Sequence, residues 1–210
     1  MKNILLVGDS IRMGYDKSVK KSLENIANVY YPSENCRFAA YVLRQLNEYM
    51  NLVEGKNIDI LHWNAGLWDS LHIYEEDEPQ TPIDIYAYYI ERICKRIKTL
   101  MPNAKVIFAT STLVLSEKMD KNFKRSNDEI ELYNKVAVEV VKKYGFEVND
   151  LCAISKALPE DAHSDPVHYY TEKGTKAFTN QVLKCLAKAL DLQEVPKYNE
   201  DLYTNKPIGI

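Results

Sequence analysis

The run Ile4-Leu5-Leu6-Val7, followed at once by Gly8-Asp9-Ser10, constrains this chain more than any other stretch. Four apolar residues without alternation describe a short strand covered on both faces, as in the centre of a parallel sheet. Parallel strands need long crossovers, and those crossovers are usually helices packed on the sheet. Gly8 suits a sharp break after the strand. Ser10 then stands where the next helix begins. It is either an ordinary N-cap, for which Ser is a preferred residue, or a hydroxyl set against unpaired N–H groups at the positive end of a helix dipole. The second environment favours developing negative charge, and the local sequence leaves both open.

The rest of the chain repeats the strand–helix alternation. Val19, Leu23 and Ile26 share one face of a first helix, and Val29-Tyr30-Tyr31 reads as a second strand stopped by Pro32. Ser33-Glu34-Asn35 is a capping-type stretch before a helix with Ala39, Leu43, Leu46, Met50 and Val53 on one face. Ile58 to Trp63 makes a third strand, ended by Asn64-Ala65-Gly66 and followed by an acidic loop whose ordinary meaning is solvation. Tyr86, Ile90, Ile93, Ile97 and Leu100 mark the next helix, and Val106 to Ala109 a fourth strand. After a lysine-rich loop from about Leu113 to Arg125, Ser126-x-x-Glu129 has capping-box spacing and opens a further helix. Gly145 fits the left-handed position beyond that helix, and Phe146-Glu147-Val148 is a fifth strand. An irregular stretch to Tyr170 leads into a last helix carrying Phe178, Val182, Cys185 and Ala189.

Five such alternations predict an α/β protein: a three-layer α/β/α sandwich on a five-stranded parallel sheet, flavodoxin-like, in strand order 2-1-3-4-5. Residues 1–190 form one domain. The polar tail 191–210 is expected to wrap the surface or a partner subunit, the route by which the chain would form a homo-oligomer. The formal net charge of −3 over 210 residues leaves no basic stripe, which argues against nucleic acid as a partner. No run of eighteen apolar residues predicts a membrane span. The chain begins directly with its first strand, without a secretory leader, so a cytoplasmic setting is expected. There Cys36, Cys94, Cys152 and Cys185 would be reduced thiols.

In such a sheet, ligands bind beyond the carboxyl ends of the strands. Ser10, the Ser33–Arg37 stretch, Asn64 and the segment after the fifth strand would therefore meet at one edge. Of the four histidines, His62 falls within a strand and reads as buried and hydrogen-bonded, and His72 in the acidic loop reads as solvated. His168 differs, because Asp165 stands three residues ahead of it. A serine nucleophile needs a base, and the imidazole needs a carboxylate to fix its tautomer. His163 is the competing base, but no aspartate stands three residues ahead of it. Acyl transfer also needs donors aimed at the oxyanion. The Ser10 N–H, the Asn64 side chain and an N–H near Asn35-Cys36-Arg37 are available, although an Asn at a strand end commonly stabilises its own turn.

Gly8-Asp9-Ser10-Ile11-Arg12-x-Gly14-Tyr15, then Asn64-x-Gly66-Leu67-Trp68-Asp69, then Asp165-x-x-His168 resemble the SGNH (GDSL-like) hydrolase superfamily, in its order across roughly residues 3 to 190. The resemblance implies Ser10 as nucleophile, His168 as general base and acid, and Asp165 as its orienting partner. It implies an oxyanion hole from the Ser10 N–H, the Asn64 side chain and a second-block glycine N–H, a position that Cys36 takes here. A side chain at Cys36 would crowd the site and make left-handed backbone angles costly. Asp9, Arg12, Arg37 and Trp68, in or beside these motifs, are assigned to substrate binding. The implied activity is hydrolysis of a small-molecule ester without metal or other cofactor, an O-acetyl group on a carbohydrate being one option. An acyltransferase with the same triad and a non-catalytic flavodoxin-like binding module are the alternatives. No Gly-x-Gly-x-x-Gly fingerprint and no paired acidic residues follow the first strand to favour the binding module.

Overall fold

A computed structural model describes residues 1–199 apart from Glu54, Lys56 and Glu75. Strands β1 (Lys2–Val7), β2 (Ala27–Tyr30), β3 (Ile60–Trp63), β5 (Lys105–Ala109) and β7 (Glu147–Asn149) form one parallel sheet in the order β2-β1-β3-β5-β7. Counted among themselves, these five strands stand in the expected order 2-1-3-4-5. Two short strands, β4 (His72–Ile73) and β6 (Phe123–Lys124), pair antiparallel outside that sheet. They join the acidic loop to the lysine-rich loop, a pairing too short to leave a periodic signal in the sequence.

The apolar run of β1 divides residue by residue between two cores. Leu5 and Val7 face helices α2 (Ala39–Met50), α3 (Ile83–Leu100) and α4 (Asn127–Lys143), together with Trp63 and Phe108. Ile4 and Leu6 face α1 (Ser10–Ser22), α5 (Leu151–Ala157) and α6 (Glu172–Ala189). All four residues are fully buried, which is why the run shows no alternation. Trp63 and Phe108 meet edge to face with centroids 4.9 Å apart, locking β3 against β5. Truncating either ring to Ala would cost about 3–5 kcal/mol.

Three local expectations change. Ile26 is exposed beyond the end of α1, in the turn that leads into β2. The supposed irregular stretch contains α5, capped by the Asp150 side chain accepting from the Ala153 N–H. Its seven residues are too few to display a helical period clearly. Helix α2 is not capped by Ser33-Glu34-Asn35. Phe38 occupies its N-cap position without a side-chain bond, and the carboxylate of Asp69 accepts the Ala39 N–H at 3.0 and 3.2 Å. A loop thirty residues away thus supplies the cap. The capping box of α4 forms as expected, with Ser126 Oγ accepting the Glu129 N–H, and Gly145 takes φ 73°.

No described helix is long and apolar enough to cross a membrane. In the expected tail, Tyr198 is buried, while residues 200–210 lie outside the described residues.

Candidate active site

Three loops at the carboxyl edge of the sheet converge on Ser10. The first is the turn after β1. Asp9 is the N-cap of α1, its Oδ1 accepting the Ile11 N–H at 3.0 Å. This leaves Ser10 as the first helical residue rather than the cap, with its N–H in the turn where no intrahelical carbonyl is available. Gly8 does not take a left-handed conformation. What it supplies is room, because a Cβ there would lie 1.9 Å from Asn64 Oδ1.

The loop between α5 and α6 brings His168. His168 Nε2 is 2.8 Å from Ser10 Oγ, and its Nδ1 is 2.8 and 3.0 Å from the two carboxylate oxygens of Asp165. Asp165 Oδ1 also accepts the N–H groups of Val167 and His168, which folds the four residues into one rigid turn. Partial burial alone would raise the Asp165 carboxyl. Those two N–H groups and the imidazole outweigh it and hold the carboxyl below its ordinary range. An acceptor-only carboxylate at Nδ1 fixes the proton there and leaves the Nε2 lone pair facing the serine hydroxyl. His163 lies apart from this line, its ring packed 3.9 Å from that of Tyr169.

The loop after β3 brings Asn64, whose N–H continues the ladder to Val7 O at 3.0 Å. Its carboxamide is buried beside Asp9 and over Gly8, and Oδ1 has no hydrogen-bond partner. Gly66 bends this loop at φ 141°, where a Cβ would meet Ser111 Oγ at 2.8 Å and Tyr86 Oη at 2.9 Å. The Tyr86 hydroxyl donates to Ala65 O at 2.8 Å and pins the same turn.

The residues assigned to substrate binding separate sharply. Asp9 is fully buried, and desolvation raises its carboxyl, opposed by the Asn64 amide and the Ile11 N–H. Arg12 is 1% exposed. Its guanidinium pairs with Asp16 and donates to the carbonyl oxygens of Gly8, Pro32 and Glu34, which ties the β2–α2 loop to the turn after β1. Both residues are struts rather than substrate contacts, since no face of either reaches solvent. Arg37 is exposed and lies over the Tyr41 ring, and Trp68 is half-buried. These two remain open to a ligand.

Cys36 also departs from expectation. Its side chain is fully buried in the core, where desolvation raises the thiol pKa, so it does not crowd the site. Its N–H donates to Gly8 O at 3.1 Å. The left-handed residue is its neighbour Arg37, at φ 53°, with its N–H held by Asn35 Oδ1 at 2.8 Å. An Asx turn stabilises that conformation in place of a glycine.

Sequence reasoning gave no role to three residues near the site. Arg125 is buried and donates through Nε to Leu67 O at 2.6 Å, and burial lowers its pKa to about 10. Asp69 caps α2 as described, and desolvation pushes its carboxyl up to about 7. Tyr170 donates from its hydroxyl to Ser10 O at 2.7 Å. Asp69 stood in the motif that begins at Asn64 without a role assigned to it, and Tyr170 stands two residues beyond His168.

Sheet order, flanking helices and the edge on which these loops meet define a flavodoxin-like α/β sandwich of the kind found in SGNH (GDSL-like) hydrolases. A lipase/acylhydrolase from Enterococcus faecalis superposes with a TM-score of 0.72 at 19% identity, covering 95% of this chain and 100% of that one. A GDSL-like lipase from Bacteroides thetaiotaomicron gives 0.69 at 17% identity, with 90% and 89% covered. The acetyl xylan esterase AlAXEase gives 0.68 at 15% identity, with 88% and 99% covered. At these identities the likeness is one of fold. No protein-family model matches the chain, and no curated protein matches it by sequence.

Proposed function

We propose that the chain is a serine hydrolase of carboxylic esters, working through an acyl-enzyme on Ser10. The observation that carries this reading is the unbroken line Ser10 Oγ–His168 Nε2–Nδ1–Asp165, with both contacts at 2.8 Å. His168 takes the serine proton as Oγ bonds to the ester carbonyl carbon, and the imidazolium then returns that proton to the departing alkoxide. Water attacks the acyl-serine by the same exchange and frees the acid. Asp165 holds the Nδ1 proton and stabilises the imidazolium. The Ser10 N–H and the Asn64 side chain are the donors for the tetrahedral oxyanion. Cys36 N–H is the weaker third donor, because Gly8 O already engages it.

The substrate we favour is a small ester, specifically an O-acetyl group on a carbohydrate. The acetylxylan esterases among the structural neighbours, AlAXEase and an enzyme from Geobacillus stearothermophilus, support that choice. Exposed Arg37 and half-buried Trp68 would contact the alcohol portion. A panel of p-nitrophenyl acetate, butyrate and octanoate with acetylated xylo-oligosaccharides, run on wild type and Ser10→Ala, tests both levels. Turnover by wild type should fall on the order of a millionfold in Ser10→Ala. Retention of more than a few per cent (roughly, against that expected loss) removes Ser10 as nucleophile. Preference for octanoate removes the acetyl assignment alone.

A further inference from the structure

Tyr170 stands outside the triad and the oxyanion donors, yet it touches both halves of the nucleophile–base pair. Its hydroxyl donates to Ser10 O at 2.7 Å, and its ring stacks on the His168 imidazole with centroids 4.8 Å apart and planes 18° from parallel. The third contact is with helix α1. A Cβ at Gly14 would lie 2.9 and 3.0 Å from the edge of the Tyr170 ring, so the ring occupies space that only glycine leaves free. Gly14 sits one turn beyond Ser10, in the middle of a helix, where glycine is otherwise unfavourable. The fit between the two therefore needs a reason other than helix formation.

We propose that Tyr170 is a positioning residue that fixes the His168 imidazole against the nucleophile's own helix, which deepens the serine-hydrolase reading and depends on it. Asp165 holds the imidazole only along one edge, through Nδ1. An edge contact leaves the ring free to tilt about the hydrogen-bond axis, and tilting swings Nε2 off the serine oxygen. A flat ring against one face of the imidazole blocks that tilt. The tyrosine hydroxyl registers this flat ring to Ser10 O, so base and nucleophile share one frame of reference. The aromatic face also meets the positive charge that develops on the imidazole as it takes the serine proton. Reacting groups held in this way gain rate through orientation, and a misplacement of about 1 Å can cost about a hundredfold.

The experiment uses three variants of the full chain. Tyr170→Phe keeps the stacked ring and removes the tether, Tyr170→Leu removes both, and Gly14→Ala pushes the ring from the opposite side. With p-nitrophenyl acetate, kcat should fall about three- to tenfold in Tyr170→Phe, and about a hundredfold in Tyr170→Leu. It should fall about tenfold in Gly14→Ala, with KM within about twofold of wild type throughout. The rate of Ser10 labelling by a p-nitrophenyl alkylphosphonate should follow the same order. The Tm of Gly14→Ala should change little, since the gain of a better helix former offsets the displaced ring; a positioning role predicts a loss of rate out of proportion to any loss of stability. The downfield Nδ1 proton resonance of His168 should persist in Tyr170→Phe and broaden in Tyr170→Leu, a readout independent of any ester turnover.

Wild-type kcat in Tyr170→Leu overturns the proposal, as does a loss carried wholly by KM or an equal loss in the Phe and Leu variants. If Tyr170→Leu does not fold, wild-type kcat in both Tyr170→Phe and Gly14→Ala overturns it instead. A wild-type protein with neither turnover nor labelling at Ser10 sinks the hydrolase reading. The imidazole resonance then still decides whether Tyr170 holds His168.

Discussion

Two histidine–carboxylate pairs lie among the described residues, and they differ in what the second ring nitrogen meets. His168 bonds Asp165 at 2.8 Å through Nδ1, and His72 bonds Glu129 at 3.0 and 3.1 Å through Nε2. Each carboxylate contacts its imidazole at hydrogen-bond distance. What differs is the partner of the other ring nitrogen. Nε2 of His168 faces the Ser10 hydroxyl, which can donate to it, so a neutral imidazole satisfies every contact. Nδ1 of His72 faces the backbone carbonyl of Glu76 at 3.0 Å, and neither a carbonyl nor a carboxylate can donate. Only the doubly protonated ring can donate to both of those acceptors. Partial burial opposes that charge, but Glu129 and the Glu76 carbonyl outweigh it and raise the pKa. A histidine beside a carboxylate is therefore a base or a structural cation according to what it meets on its far side.

The largest effect that separates the two pairs is loss of the imidazole. His168→Ala should reduce ester turnover nearly as far as Ser10→Ala, on the order of a millionfold, whereas His72→Ala should leave kcat within about threefold, as a structural pair would. Steady-state kinetics on p-nitrophenyl acetate reads both. Comparable losses in the two variants would mean that the loops after β3 and β5 take part in the chemistry. His163→Ala belongs with His72→Ala, because His163 packs on Tyr169 and does not face Ser10.

Changing the carboxylates sharpens the same contrast. Asp165→Asn should lower kcat about ten-thousandfold, because an amide can hold the wrong imidazole tautomer. Glu129→Gln should cost only about 1 kcal/mol of stability, the range of a partly exposed ion pair. Chemical denaturation of the Gln variant and single-turnover kinetics of the Asn variant check the two halves.

Between these regions the sequence is unevenly legible. The sheet could be read because β1 and β5 carry continuous apolar runs and only His62 interrupts β3, and burial on both faces imposes such a pattern. Asp165 and His168 could be read because three residues place them in one turn. The roles of Asp9, Arg12 and Cys36 could not be read. Motif position puts them near Ser10, but which way a side chain turns depends on packing between elements far apart in the chain. Arg12 is held by carbonyls of the β2–α2 loop, twenty or more residues away. The Asp69 cap on α2 spans thirty residues. His72 looked solvated because its partner Glu129 lies 57 positions further on. Long-range polar pairing leaves no period and no composition for a sequence reading to catch.

A smaller kinetic effect is expected at the proposed oxyanion donors. Asn64→Ala should lower kcat about a hundred- to a thousandfold, the usual loss for one such donor, with little change in KM. Cys36→Gly should keep kcat near wild type, because only its backbone N–H is available and Gly8 O engages it. A stability loss should still accompany Cys36→Gly, since its thiol is fully buried. Full activity in Asn64→Ala would restore the reading of Asn64 as a turn residue.

The smallest effect compares His72 with a third histidine, and its readout is stability against pH. His62 is fully buried, accepts from Asn149 Nδ2 at 3.0 Å, and desolvation lowers its pKa from 6.5 to about 4. The unfolded chain therefore binds a proton at His62 between those values and the folded chain does not. Stability tied to His62 is full above pH 6.5 and is lost as pH falls toward 4, by up to about 3 kcal/mol. His72 has the opposite sign. Its raised pKa adds stability below 6.5 that disappears as pH rises through the folded value. Urea unfolding at pH 5 and pH 8 should show His72→Ala losing more at pH 5 than at pH 8. His62→Gln, which keeps an acceptor for Asn149, should lose less between pH 8 and pH 5 than wild type does. If His62→Gln instead shows the full wild-type acid sensitivity, His62 is not the group that charges on unfolding. The acid limb would then have to be assigned to His163, whose pKa burial also lowers from 6.5 in the folded protein.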